Sequence, residues 1–190
     1  MIKEIIEREW EFFQKVQNIG GRASCQDDFE TFNIQRTAQF KVFYQDVLES
    51  YLNDLKYYKN IGRNPVEEKY ARMMESNDPL NYNKIKKYLV EMDEDQKKLI
   101  ESIVAIEVTM REEVNEKYPQ IASLARYTYS YEDDIENTSF ETYLRGELST
   151  YSPHTLYLYG QMILDMVRKK ENMIIKILEN TARAYDYPLK

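Results

Sequence analysis

Few residues in this chain have the chemistry for covalent or metal-assisted catalysis, so each can be weighed in turn. There is one cysteine, Cys25, and one histidine, His154, among 190 residues. Cys25 stands at a predicted helix start beside Arg22, a setting that lowers a thiol pKa and favours the reactive thiolate. A cysteine nucleophile needs a base, and His154 is the one imidazole available. Cys25 also falls on the apolar stripe of its predicted helix, so it is read as a small buried core residue. A single Cys and a single His argue against a Cys/His zinc site and rule out an intrachain disulfide framework. The acids Glu132, Asp133 and Asp134 could join others around Mg²⁺, and Glu4 and Glu7 form a Glu-x-x-Glu pair, but no convincing second half goes with it. That run is read as a solvated acidic loop.

The better-placed chemistry is recognition of an anion. Gly20-Gly21-Arg22-Ala23-Ser24 precedes a predicted helix, and N–H groups at a helix start with a nearby Arg suit a phosphate. The run lacks the Lys and Ser/Thr of a P-loop and follows a helix rather than a strand, so a plain helix–turn–helix connection also explains its glycines. At about 100° per residue, Arg36 is centred on the stripe of Phe29, Phe32, Phe40 and Phe43, with Gln39 at its edge. The same arithmetic places Glu147 in the apolar sector of Phe140, Leu144, Leu148 and Tyr151, and Glu107 on the face of Ile103, Met110 and Val114. A buried charge is costly unless paired, so these three groups form either an internal Arg–Glu pair or the wall of a polar pocket. Tyrosine, with 17 copies, is concentrated around residues 127–159, and its amphipathic ring suits core edges, pocket walls and interfaces. The candidate site is therefore Arg22, Gln26, Arg36 and Gln39 from the first helices and Tyr143, Glu147 and Tyr151 from the later ones. In it Arg22 and Arg36 meet a small anion such as a nucleotide, Gln26 and Gln39 hydrogen-bond it, and Glu147 orients an arginine.

These side chains have to be positioned by helices. Apolar residues three and four apart predict a helix over 2–17, ended by Asn18-Ile19-Gly20-Gly21. The chain from about Cys25 to Tyr58 has no Pro or Gly and reads as one long helix. Asn64-Pro65-Val66-Glu67 is a strong start for a helix that stops before Asp78-Pro79. Pro79 opens a short helix to about Leu89, and Asp93 or Asp95 starts another that reaches Lys117. Residues 119–125 form a further turn or two, and 126–138 is irregular. Thr138 or Ser139 caps a helix to about Ser149, and Ser152-Pro153 opens a last helix to about Ala184. The first half of that helix is apolar nearly all round, which places it centrally. The expectation is a single all-α domain over 1–190, a bundle of about six to eight helices around the C-terminal one.

Composition narrows the function classes. With five Gly and five Pro there is little turn chemistry for an all-β fold. A net charge of −7 disfavours broad nonspecific nucleic-acid binding. The segment MIKEIIEREW carries acids in its first turns, unlike a signal peptide, and the longest uncharged stretch, between Glu147 and Asp165, contains too many polar residues for a membrane span. A cytoplasmic location, no membrane and no resident cofactor are the expectations, with Mg²⁺ entering only if the pocket is a nucleotide-processing hydrolase. A Tyr-rich protein-interaction module is the third reading.

Several runs carry a family resemblance: Glu9-Trp10-Glu11-Phe12-Phe13, Gly20-Gly21-Arg22-Ala23-Ser24-Cys25-Gln26-Asp27, Glu67-Glu68-Lys69-Tyr70-Ala71-Arg72 and Ser139 through Ser152. Together they resemble the bacterial domain-of-unknown-function family numbered 4125. That resemblance implies a bacterial source and no activity. Arg145 and His154 differ from the Arg/His pair of helical ribonucleases of the HEPN type, because eight residues and the Ser152-Pro153 break separate them. His154 is read as a half-exposed residue in a helix-capping turn.

Overall fold

The computed structural model describes residues 1–17 and 21–187. Among these there are ten α-helices, three turns of 3-10 helix and no strand. The chain divides into two compact units, residues 1–67 with 175–190, and residues 68–174.

In the first unit, α1 (Ile2–Phe13) packs on both α2 (Phe29–Phe40) and α3 (Gln45–Ile61). Ile5, Ile6, Phe12 and Phe13 of α1 meet a core that includes Ala38, Phe40 and Leu55. The predicted stop at Asn18-Ile19-Gly20 lies outside the described residues; Gly21 has a φ of 88°, a backbone state that favours glycine. The long helix predicted over 25–58 is instead a 3-10 turn followed by α2 and α3. Asp28 starts α2 by accepting from the Thr31 amide (3.0 Å). After α2 the chain breaks at 41–44 without Gly or Pro, because the break turns Val42 and Phe43 into the core (8% and 6% exposed) and seats Phe43 edge-on to Phe40. Cys25 consequently leaves the apolar stripe and is exposed, not buried. The last helix of the chain contributes its residues 175–184 to this unit, where Asn180 donates to the Ala38 carbonyl (3.1 Å).

The second unit holds most of α4 (Pro65–Asn77), then α5 (Pro79–Ile85), α6 (Glu94–Lys117), α7 (Pro119–Ala122), α8 (Phe140–Leu148) and α9 (Pro153–Arg168). The long α6 carries the packing: α7, α8 and α9 all lie on it. Its start is a capping box, with Asp93 accepting from the Gln96 amide and Gln96 accepting from the Asp93 amide. Ser139 and Ser152 cap α8 and α9 in the same way as Asp28 caps α2. The predicted last helix is two helices, α9 and α10 (Met173–Ala184). Between them Lys170 takes a φ of 57°, and the Glu171 and Lys170 amides donate to the Met166 and Val167 carbonyls, which closes α9 with a Schellman motif. The motif usually announces itself as Gly; here Lys occupies the left-handed position, so the helix count exceeds the six to eight expected. The first half of the predicted helix is nevertheless the buried part, with Leu156, Tyr159, Met162, Ile163 and Met166 at 1% exposure or less. Among the described residues no helix is long and apolar enough to cross a membrane.

Candidate functional site

All three charged residues that helical arithmetic turned inward are buried: Arg36, Glu107 and Glu147. Each of them is held by a partner from another helix. Arg36 grips Glu9 of α1 with two parallel hydrogen bonds, Nε to Oε2 at 2.7 Å and Nη2 to Oε1 at 2.5 Å. Its third nitrogen donates to Gln39 (2.6 Å), its guanidinium lies 4.6 Å from the Phe40 ring centre, and Tyr51 donates to the same Glu9 carboxylate (2.7 Å). This is a planar fork matched to a carboxylate, the arrangement that makes a buried ion pair tolerable. Glu9 escaped the sequence reading although its signal was present. It stands four residues after Ile5 and three before Phe12, on the apolar face of α1.

Arg22 and Gln26 form a separate structural clip. Gln26 is buried and donates to the Phe13 and Val16 carbonyls (2.8 and 3.1 Å), which caps the open end of α1, while its oxygen accepts from the Ala23 amide. Arg22 is spent on Asp27 (2.7 Å), on the Gln14 side chain (2.6 Å) and on the Gln26 carbonyl (2.8 Å). The Gly-rich turn therefore organises the end of a helix by internal hydrogen bonds.

In the second unit Lys69 of α4 is the counter-ion of Glu147 (3.3 Å) and donates to the Tyr143 hydroxyl (2.8 Å), with its ammonium 4.4 Å from the Tyr143 ring centre. Tyr151 donates to the other Glu147 oxygen (3.5 Å) and stands edge-on to Tyr159. Tyr159 in turn donates to Glu107 (2.7 Å). Burial pushes the Glu107 carboxyl up to about 8, against the lowering hydrogen bond from Tyr159, and the nearby Glu147 charge adds to the rise. Glu107 is thus largely protonated at neutral pH, which spares the core a second charge.

Of the seven residues predicted to form one pocket, four belong to the first unit and three to the second. Arg36 meets Gln39, Arg22 meets Gln26, and Tyr143, Glu147 and Tyr151 are gathered by Lys69 and each other. The acids of the irregular loop, of which Asp134 is exposed and Glu132 and Asp133 are half-buried, also serve as structural acceptors. Asp133 accepts from Ser76, Thr142 and the Ser139 amide; burial raises its pKa, but these bonds outweigh it and hold the carboxyl low. His154 is exposed in the first turn of α9. Among the described residues no group of three or more His, Cys, Asp or Glu side chains is disposed to hold a metal ion.

An open space in the second unit lies beside the Glu147 network. A cleft of about 1160 Å³ is walled by α4, by residues 82–92, by the first half of α6 and by the face of α8 that carries Thr142, Arg145, Gly146 and Ser149. None of the seven predicted residues lines it. Five lining residues are basic (Arg72, Lys86, Lys87, Lys97 and Arg145) and three are acidic (Glu75, Glu91 and Glu101). Arg145 is paired with Glu101 and Glu141, Lys97 with Glu94, and Arg72 with Glu68. Among the described residues Lys86 and Lys87 form no ion pair, and Lys87 rests over the Tyr88 ring. The cleft was missed because its basic residues are scattered in sequence and each reads as an ordinary solvated side chain.

A family model described as "Protein of unknown function (DUF4125)" matches residues 1–188. No curated protein and no solved structure matches the chain. The chain belongs to the DUF4125 family, as the resemblance in its sequence implied.

Proposed function

We propose that this DUF4125 protein is a non-catalytic or accessory helical protein that binds a small anionic ligand, such as a nucleotide, in the cleft of its second unit. The observation that carries the reading is the sign of the lining: basic residues outnumber acidic ones five to three in a chain whose net charge is −7. A concave, partly apolar surface with an excess of one sign raises the local concentration of the opposite charge. The Tyr82 hydroxyl lines the same cleft and supplies a further hydrogen-bonding group. The Lys69–Glu147–Tyr143 network backs the α8 wall, so Tyr143, Glu147 and Tyr151 enter the reading as residues that hold α8 in place. Within the first unit, Arg22, Gln26, Arg36 and Gln39 do the same for α1 and α2. A single family module over 1–190 and a cytoplasmic location, with Cys25 as a free thiol, go with this reading.

The test is a thermal-shift series with inorganic pyrophosphate and with nucleoside mono-, di- and triphosphates. A ligand present at about 100 times its Kd stabilises the protein by about 2.7 kcal/mol. The shift is expected to saturate, to weaken with salt, and to be lost in the Lys86→Glu/Lys87→Glu variant. Absence of a shift with every one of these anions would defeat the reading.

A further inference from the structure

The wall formed by residues 79–92 differs from the others. Neither α5 nor the 3-10 turn Lys86–Tyr88 buries a single residue, and Leu80 and Tyr88 are 80% and 76% exposed. A segment with so little buried apolar surface has low local stability. Its two ends are well defined. Asp78 caps α5 by accepting from the Asn81 amide (3.3 Å), and Asp93 caps α6 through its capping box. Motion is therefore confined between two fixed helix boundaries. A side-chain contact holds the segment to α4: Arg72 donates to the Val90 carbonyl at 2.6 Å while gripping Glu68. The segment also carries Lys86 and Lys87, the two basic lining residues that form no ion pair among the described residues.

We propose that residues 79–92 form a lid over the cleft, latched by Arg72 to Val90, and that Lys86 and Lys87 close it on a multiply charged phosphate-type anion. The inference rests on the binding reading above and names its ligand class. Among the described residues, two ammonium groups adjacent in sequence are left over after the other lining cations are matched, and a singly charged carboxylate would neutralise only one of them. A diphosphate group spans both, and a Lys is a strong point-charge partner for phosphate. Closing the lid would exclude water around the anion and strengthen these contacts.

Hydrogen exchange on the whole protein, with and without inorganic pyrophosphate, tests this directly. Peptides across 79–92 are expected to exchange fast in the free protein and roughly tenfold more slowly with pyrophosphate, the signature of a locally unfolding segment being captured. The exposed Lys86→Gln/Lys87→Gln variant should keep its fold, bind at least tenfold more weakly and lose the protection. Arg72→Lys keeps a charge for Glu68 but has no second arm for Val90, so it should speed exchange of 79–92 in the free protein. Pyrophosphate binding that protects α6 and α8 while leaving 79–92 unchanged would overturn the lid and leave the cleft standing. No binding at all would overturn both. An Arg72→Lys protein with unaltered exchange across 79–92 would overturn the latch.

Discussion

Replacing Glu9 by Gln tests the internal account of Arg36 most sharply. Glu9 is 3% exposed and accepts three hydrogen bonds, two from Arg36 and one from the Tyr51 hydroxyl. Gln has nearly the same shape but no charge, and its amide nitrogen must face donors that it cannot accept from. The guanidinium of Arg36, itself 7% exposed, then keeps its desolvation cost without the Glu9 charge. Removing one partner of a buried pair costs about 3–5 kcal/mol. In a protein of this size each kcal/mol lowers Tm by about 2–4 °C, so the variant should melt roughly 6–20 °C lower. Trp10 is the one tryptophan and neighbours Glu9, with the rings of Phe13, Phe29 and Phe32 at 5.8, 5.1 and 5.1 Å. Its fluorescence during urea unfolding therefore reports on the first unit. A companion variant, Glu9→Leu/Arg36→Met, removes both charges and should recover most of the loss, because apolar replacement of a whole buried pair is often neutral. A Glu9→Gln cost under about 1 kcal/mol, the level of an exposed pair, would refute the claim that this pair behaves as a buried one.

Two further perturbations probe the second unit. Glu107 holds its proton up to about pH 8 in the fold, against an ordinary value of 4.5, so the native state binds the extra proton between those values. Its contribution to stability is therefore intact below about pH 4.5 and is lost as pH rises towards 8, with a slope of at most about 1.4 kcal/mol per pH unit. Glu107→Gln should remove that slope, measured as the difference between variant and wild-type urea midpoints from pH 5 to 9; a difference that does not vary with pH refutes the assignment. Gly146→Ala would set a Cβ 3.0 Å from the Lys69 carbonyl oxygen and 3.1 Å from Met73 Cγ, so overpacking should cost about 1–3 kcal/mol in a thermal melt. Gly160→Ala meets only the mobile ends of Ile103 and Leu99 (3.3 and 3.4 Å), and the gain in helix propensity of about 1 kcal/mol should offset its crowding. Equal losses for the two glycines would contradict the packing described for α8.

Much of the helical framework was legible because its signals are local. Asn64-Pro65, Asp93, Ser139 and Ser152-Pro153 mark helix starts through hydrogen bonds that a cap makes with its own next turn. The burial of Arg36, Glu107 and Glu147 was also legible, because helical phase alone turns a side chain towards the apolar face. What phase cannot supply is the partner. Arg36 meets Glu9 across 27 residues of sequence, and Glu147 meets Lys69 across 78. Lys69 reads as any exposed lysine until α4 is laid against α8.

The same division runs through the breaks and the cleft. Gly and Pro carry their conformational preference wherever they occur, so composition and spacing by themselves determined an all-helical chain with its capped starts. Lys170 in the left-handed region and the break at 41–44 have no such residue, and both arise because burial elsewhere outweighs the local preference to continue the helix. Only the tertiary structure decided that Cys25 is exposed, that the Gly-rich turn closes a helix end with Arg22 and Gln26, and that scattered lysines and arginines share one concavity. Charge and shape in a cleft are sums over distant residues, and a sum of that kind exists only once the helices have been packed.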